Sequence, residues 1–226
     1  MLAVAGAGHA ATYTFNSGFA NGGAIPDGNL AGWSDTRSIS DWSAGSQITA
    51  LTVSLNVSGG FNGDLYCYLS HGSGFSVLLN RVGVSSGNAF GYGDTGFNIT
   101  LSDSGAFNVH SYQANGGTLN GNGQLTGTWQ PDGRNINPAS SGATFDSASP
   151  STPLSGFNVS DPNGGWTLFF ADMSGGGQST VVSWTLDITA VPEPVNVALG
   201  IFAVILLPAV LLRSKISTSA PGNGLG

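Results

Sequence analysis

Five aspartates carry most of the chemistry visible in this chain. Asp27, Asp64, Asp103, Asp161 and Asp172 lie in turn-rich sequence or at the ends of apolar runs. Carboxylates at strand ends, among free backbone carbonyls, are the ligand type that rings a hard cation such as Ca²⁺. The same placement suits an aspartate that caps its own turn by accepting from backbone N–H groups. Both readings fit the sequence. His71 and His110 sit in turn-like contexts and read as polar surface groups, with no Gly-x-Ser-x-Gly motif beside either. Glycoside hydrolysis needs a carboxyl pair with one partner in an apolar pocket, and no such pocket is legible. Cys67 alternates with Leu65 and Leu69, which makes it core filler on the apolar face of a strand. Trp33, Trp42 and Trp129 fall in loop-rich sequence and suit either a sugar-stacking platform or the edges of a core. There is no EF-hand loop, zinc-ligand spacing or phosphate-binding loop.

The elements that must position these groups are strands. Leu51, Val53, Leu55 and Val57 alternate with Thr52, Ser54 and Asn56, the period of a half-buried strand. Residues 64–70, 76–82 and 97–101 read similarly. Residues 166–171 are more uniformly apolar and suit a central strand. Residues 180–188 alternate again, with Val182, Trp184, Leu186 and Ile188 expected inward. The stretch 116–152 is rich in turn residues, so it reads as long loops around one short strand near Leu125–Trp129. No helical period survives before residue 191. The expected fold is all-β, two packed antiparallel sheets.

Composition sets further bounds. Glycine accounts for 36 of 226 residues, and charged residues for 8%. Before Val191 the basic residues are Arg37, Arg81 and Arg134, against eleven aspartates, a balance of −8. A nucleic-acid backbone would be repelled, and so would an acidic polysaccharide. A single cysteine excludes an internal disulfide.

Two family resemblances follow. Ile25-Pro26-Asp27, Gly63-Asp64-Leu65 and Gly165-Trp166-Thr167-Leu168 followed by Asp172 resemble, in order and spacing, the P domain (P/Homo B domain) of proprotein convertases. The resemblance spans roughly residues 20–190 and implies a jelly-roll β-sandwich that modulates a subtilisin-like protease without cleaving bonds itself. It also singles out Asp27, Asp64 and Asp172, which such a fold can gather at one end as a candidate Ca²⁺ set. The second resemblance is to the PEP-CTERM sorting signal: Val191-Pro192-Glu193-Pro194, an uncharged run over residues 195–212, then Arg213 and Lys215. As a helix that run of 18 residues would span about 27 Å, close to a bilayer's hydrocarbon core. The basic pair favours the cytoplasmic side, leaving the preceding residues outside.

The organisation read from sequence is therefore residues 1–11 as part of a signal peptide, 12–190 as the β-sandwich, 191–215 as motif, transmembrane helix and basic flank, and 216–226 as a tail. The mature chain is expected to begin near Ala11 or Thr12. The function this implies is non-enzymatic: an exported binding or structural module at the cell surface or in the extracellular matrix. The expected partners are an exosortase-type processing protease and, for the domain, an extracellular polysaccharide or a secreted serine endopeptidase. An accessory role in proteolysis and a carbohydrate-binding role are the alternatives.

Overall fold

The structure, a computed structural model, describes residues 8–192. Nine strands run through this region: β1 His9–Phe15, β2 Trp33–Ile39, β3 Gln47–Gly59, β4 Leu65–His71, β5 Gly74–Asn80, β6 Gly96–Leu101, β7 Leu125–Trp129, β8 Gly164–Asp172 and β9 Ser179–Val191. A six-residue helix, α1 (Gly142–Ser147), lies between β7 and β8. The strands form a five-stranded sheet in the order β1-β9-β3-β6-β7 and a four-stranded sheet in the order β2-β8-β4-β5. Inward positions of both sheets join one apolar core, which gives a β-sandwich.

The alternating sequences become strands for the expected reason. Leu51, Val53, Leu55 and Val57 of β3 face the core, as do Phe97, Ile99 and Leu101 of β6. Cys67 is fully buried between Leu65 and Leu69. β8 is a central strand, between β2 and β4, and buries Trp166, Leu168 and Phe170.

Four features differ from the expectation. β7 runs parallel to β6, so the sandwich is not wholly antiparallel. The connection over residues 102–124 is long enough for the crossover that a parallel pair requires. Val182 is exposed, because the β3–β9 register shifts between Asn56 and Val57 and puts Val181 inward instead. Such a bulge resets the inside–outside alternation of one strand relative to its partner. α1 breaks the all-strand pattern, with Ser141 as its N-cap accepting from Thr144 N at 3.3 Å. β1 and β2 were not legible as strands. β1 includes His9, Ala10 and Ala11, paired with Ala190, Thr189 and Ile188 of β9.

The two sheets are tied by a polar contact inside the core. Trp184 of β9 donates its indole N–H to Asp35 of β2 at 2.8 Å. Asp35 also accepts from Arg37 Nε at 2.7 Å, and the Arg37 guanidinium stands 5.3 Å from the ring centres of both Phe15 and Phe19. Replacing Trp184 by Phe removes a bond to a buried carboxylate and part of a fully buried ring. The expected loss is about 2–4 kcal/mol, read as a lower urea midpoint with unchanged m-value. A Trp184→Phe protein as stable as the parent would show that the two sheets do not depend on this bond.

Candidate functional site

The densest gathering of accessible chemistry lies at one end of the sandwich, where β4 begins and β8 ends. Leu65 and Asp172 are register partners there, and Met173 N donates to the Asp64 carbonyl at 2.8 Å. Asp64 closes a 3-10 turn over Asn62–Asp64. Asn62 is buried and holds the start of β6, accepting from Gly96 N at 2.7 Å and donating to the Gly96 carbonyl at 3.1 Å. The loop at residues 88–94 is strapped alongside: Asn62 N donates to Asp94 O and Gly63 N to Tyr92 O. A side chain at Gly63 would collide with the Phe90 carbonyl, so only glycine lets these two loops approach so closely. Arg81 ties both loops from below, donating Nε to Gly63 O at 3.2 Å and Nη2 to Ala89 O at 3.3 Å. The β8–β9 turn makes the third wall. Asp27 holds that turn by accepting from Gly176 N at 3.1 Å.

Between these loops is a cleft of about 570 Å³, lined by Phe61, Asp64, Phe90, Gly91, Tyr92 and the Ser174–Gly175 backbone. Phe90 is 79% exposed and Phe61 43% exposed. The two rings thus lie side by side along one cavity and form a local apolar patch.

Asp27, Asp64 and Asp172 do meet at this end, within reach of each other's charge. Burial raises the Asp64 carboxyl above its usual range, with the Asp27 charge adding to it; the Arg81 charge and a Ser174 hydrogen bond oppose the rise. Burial pushes Asp172 up to about 6, and the charges of Asp64 and Asp27 push the same way. Asp172 is 1% exposed; its Oδ1 accepts from Ser174 N, and the Gly28 backbone N–H also supports the carboxylate. Among the described residues no group of three or more His, Cys, Asp or Glu side chains is placed to hold a metal ion. The trio is therefore a patch of like charge and does not converge as a coordination sphere.

The other predicted positions have structural work. Asp103 accepts from Leu154 N and Ser155 N at 2.9 and 2.7 Å, and Asp161 accepts from Asn163 N at 2.9 Å. Asp161 caps its own turn, the alternative that its sequence context allowed, whereas Asp103 caps the 3-10 turn over Leu154–Phe157, some fifty residues away. His71 and His110 are buried, against the surface placement expected. His71 continues the inward series Leu65, Cys67, Leu69, stacks on Trp166 at 4.0 Å and presents its two ring nitrogens to the carbonyls of Gly165 and Asp161. That series was readable in the sequence. His110 contacts Asp132 through Nδ1 at 2.7 Å and the Val84 carbonyl through Nε2 at 3.0 Å. A catalytic dyad needs that second nitrogen facing a nucleophile, and here a carbonyl occupies it.

Trp33, Trp42 and Trp129 form no exposed platform. All three are buried, Trp33 in β2, Trp129 at the end of β7 and Trp42 in the loop after β2. Their apolar area wins over their loop-like sequence context. Val191 ends β9 and Pro192 follows it. Glu193, Pro194, Arg213, Lys215 and the apolar run lie outside the described residues; among those described, no helix is long and apolar enough to cross a membrane. The rings of the cleft were missed because they come from two separate loops, Phe61 from one and Phe90 and Tyr92 from the other. The sequence signal, in hindsight, was Phe90-Gly91-Tyr92-Gly93, aromatics set between glycines with no strand period.

Neither a family model nor a curated protein matches this sequence. One solved structure with a similar chain is the complex of Aeromonas sobria serine protease (ASP) with the chaperone ORF2, at 14% identity and a TM-score of 0.44. The match covers 83% of this chain and 28% of that one, and so loose a likeness carries no function.

Asp172 generates a pH signature. Its folded-state value of about 6 lies above the ordinary 3.8, so between those values the folded protein keeps a proton that the unfolded chain has lost. Stability must then fall as pH rises through that window. Melting temperatures measured from about pH 4 to pH 6 should decline in the parent and decline less steeply in Asp172→Asn. Equal slopes would clear Asp172 as the source.

Proposed function

We propose that this chain is an exported, non-enzymatic β-sandwich that works by binding. Its finer assignment is a P-domain-like jelly roll, carried to the cell surface or extracellular matrix by a PEP-CTERM-like signal. The observation that carries the binding reading is the cleft: Phe61 and Phe90 stand exposed at its rim, over the buried Asp64. The groups that would serve catalysis are spent elsewhere, His71 and His110 on backbone carbonyls and Asp132, and Cys67 on the core. The sorting reading rests on Val191-Pro192-Glu193-Pro194, the apolar run and the Arg213–Lys215 flank. In it the tail holds the chain briefly in the membrane until an exosortase-type protease cuts near the motif.

The carbohydrate-binding alternative loses its main support with the burial of Trp33, Trp42 and Trp129. An accessory role beside a secreted serine endopeptidase uses the same cleft and differs in the partner. Two measurements test the proposal. Purified full-length protein should hydrolyse neither peptides nor glycosides, and measurable turnover that survives repurification would overturn the non-enzymatic reading. Intact-mass analysis of the protein from its own cells should find a chain ending near residues 191–194; a mass running to Gly226 would sink the sorting assignment.

A further inference from the structure

We infer that the cleft between the Phe61–Asp64, Phe90–Gly93 and Ser174–Gly175 segments binds an organic cation, the arginine or lysine side chain of a partner polypeptide. The inference rests on the binding-module reading and names what that module takes. Three kinds of observation converge on it.

The first is charge. Asp27, Asp64 and Asp172 share this end of the sandwich, and the nearby cation is Arg81, with Nε and Nη2 donating to the Gly63 and Ala89 carbonyls. Against three carboxylates, one arginine leaves an excess of two negative charges. Residues before Val191 carry eleven aspartates against three arginines, so the field of the whole domain steers cations toward it.

The second is the burial of Asp172, which is 1% exposed next to the Ser174 wall and has, among the described residues, only the Ser174 and Gly28 backbone N–H groups to support its carboxylate. A carboxylate held in low dielectric carries a cost that a positive charge bound nearby offsets through space.

The third is the lining. A divalent metal wants several oxygens converging on a point, and among the described residues no group of three or more His, Cys, Asp or Glu side chains is placed to supply them. Phe61, Phe90 and Tyr92 instead line the same cleft as Asp64. Aromatic rings with a carboxylate among them suit a large, weakly hydrated cation, above all guanidinium. A volume of about 570 Å³ exceeds one side chain, leaving room for the backbone on either side of it.

The test uses full-length protein and a fluorescein-labelled tetra-arginine peptide, read by polarisation, with a tetra-citrulline peptide as its neutral near-isostere. Binding of the arginine peptide that weakens with salt is expected, and the citrulline peptide should bind at least about tenfold more weakly. Phe90→Ala, at a side chain too exposed to matter for folding, should weaken binding about tenfold. Asp64→Asn should do the same, whereas Asp146→Asn, an exposed charge on α1 outside the cleft, should change it little. Equal affinity for both peptides, no binding at all, or equal losses from the two Asp→Asn changes would overturn the inference. Displacement of the peptide by millimolar Ca²⁺ with a rise in melting temperature would also overturn it, in favour of a metal site. Turnover of peptides by the parent protein would instead strike the non-enzymatic reading, which keeps the two failures distinct.

Discussion

The bond from Trp184 to Asp35 is the contact on which the arrangement of the two sheets rests. A sandwich of apolar faces can slide, because hydrophobic burial has no direction. A buried indole N–H at 2.8 Å from a carboxylate does have one. It fixes β9 of one sheet over β2 of the other, and Arg37 then neutralises the carboxylate that the bond has drawn inward. Phe15 packs on Trp184 at 4.5 Å and faces the Arg37 guanidinium, so β1 closes the same corner. Two strands with little apolar alternation are thereby held by aromatic and charged groups.

Fixing the sheets also fixes the cleft. β4 and β8 are register partners from Leu65–Asp172 to His71–Trp166, which sets the ends of both strands side by side. The 3-10 turn before β4 and the turn after β8 emerge together, and Arg81 and Asn62 strap the 88–94 loop against them. The aspartates at this end have different work. Asp27 holds a turn, Asp64 lines the cavity, and Asp172 carries a buried carboxyl that its surroundings push toward protonation. Like charge concentrated by burial is costly to the fold. That cost falls at the end of the sandwich where Phe61 and Phe90 also stand exposed.

Much of the fold was legible because alternation reports burial directly. β3, β6 and β7 stand where the period of two or the turn spacing put them, and Cys67 is core as its neighbours Leu65 and Leu69 implied. Legibility failed where side chains satisfy burial by other means. β2 reads Trp-Ser-Asp-Thr-Arg-Ser-Ile, and its inward Asp35 looks polar until Trp184 and Arg37 surround it. Val182 was misplaced because a bulge is a property of two paired strands, and neither strand's sequence contains it. For the tryptophans the core reading holds, and the sequence left a platform open beside it because loop-rich context says nothing about which surface folds over the ring.

The sequence by itself determined the β-class, the composition of the core and the acidic balance, since each follows from residue type and local period. It also carries the motifs that resemble a P domain and a sorting signal. The resemblance had pointed to Asp27, Asp64 and Asp172 at one end, and tertiary structure alone decided that both histidines are closed off and that Phe61, Phe90 and Tyr92 line one cavity. The physical reason is range. Periodicity encodes which face a residue takes within its own strand, whereas a site assembled from three loops depends on register and on contacts between residues more than a hundred positions apart.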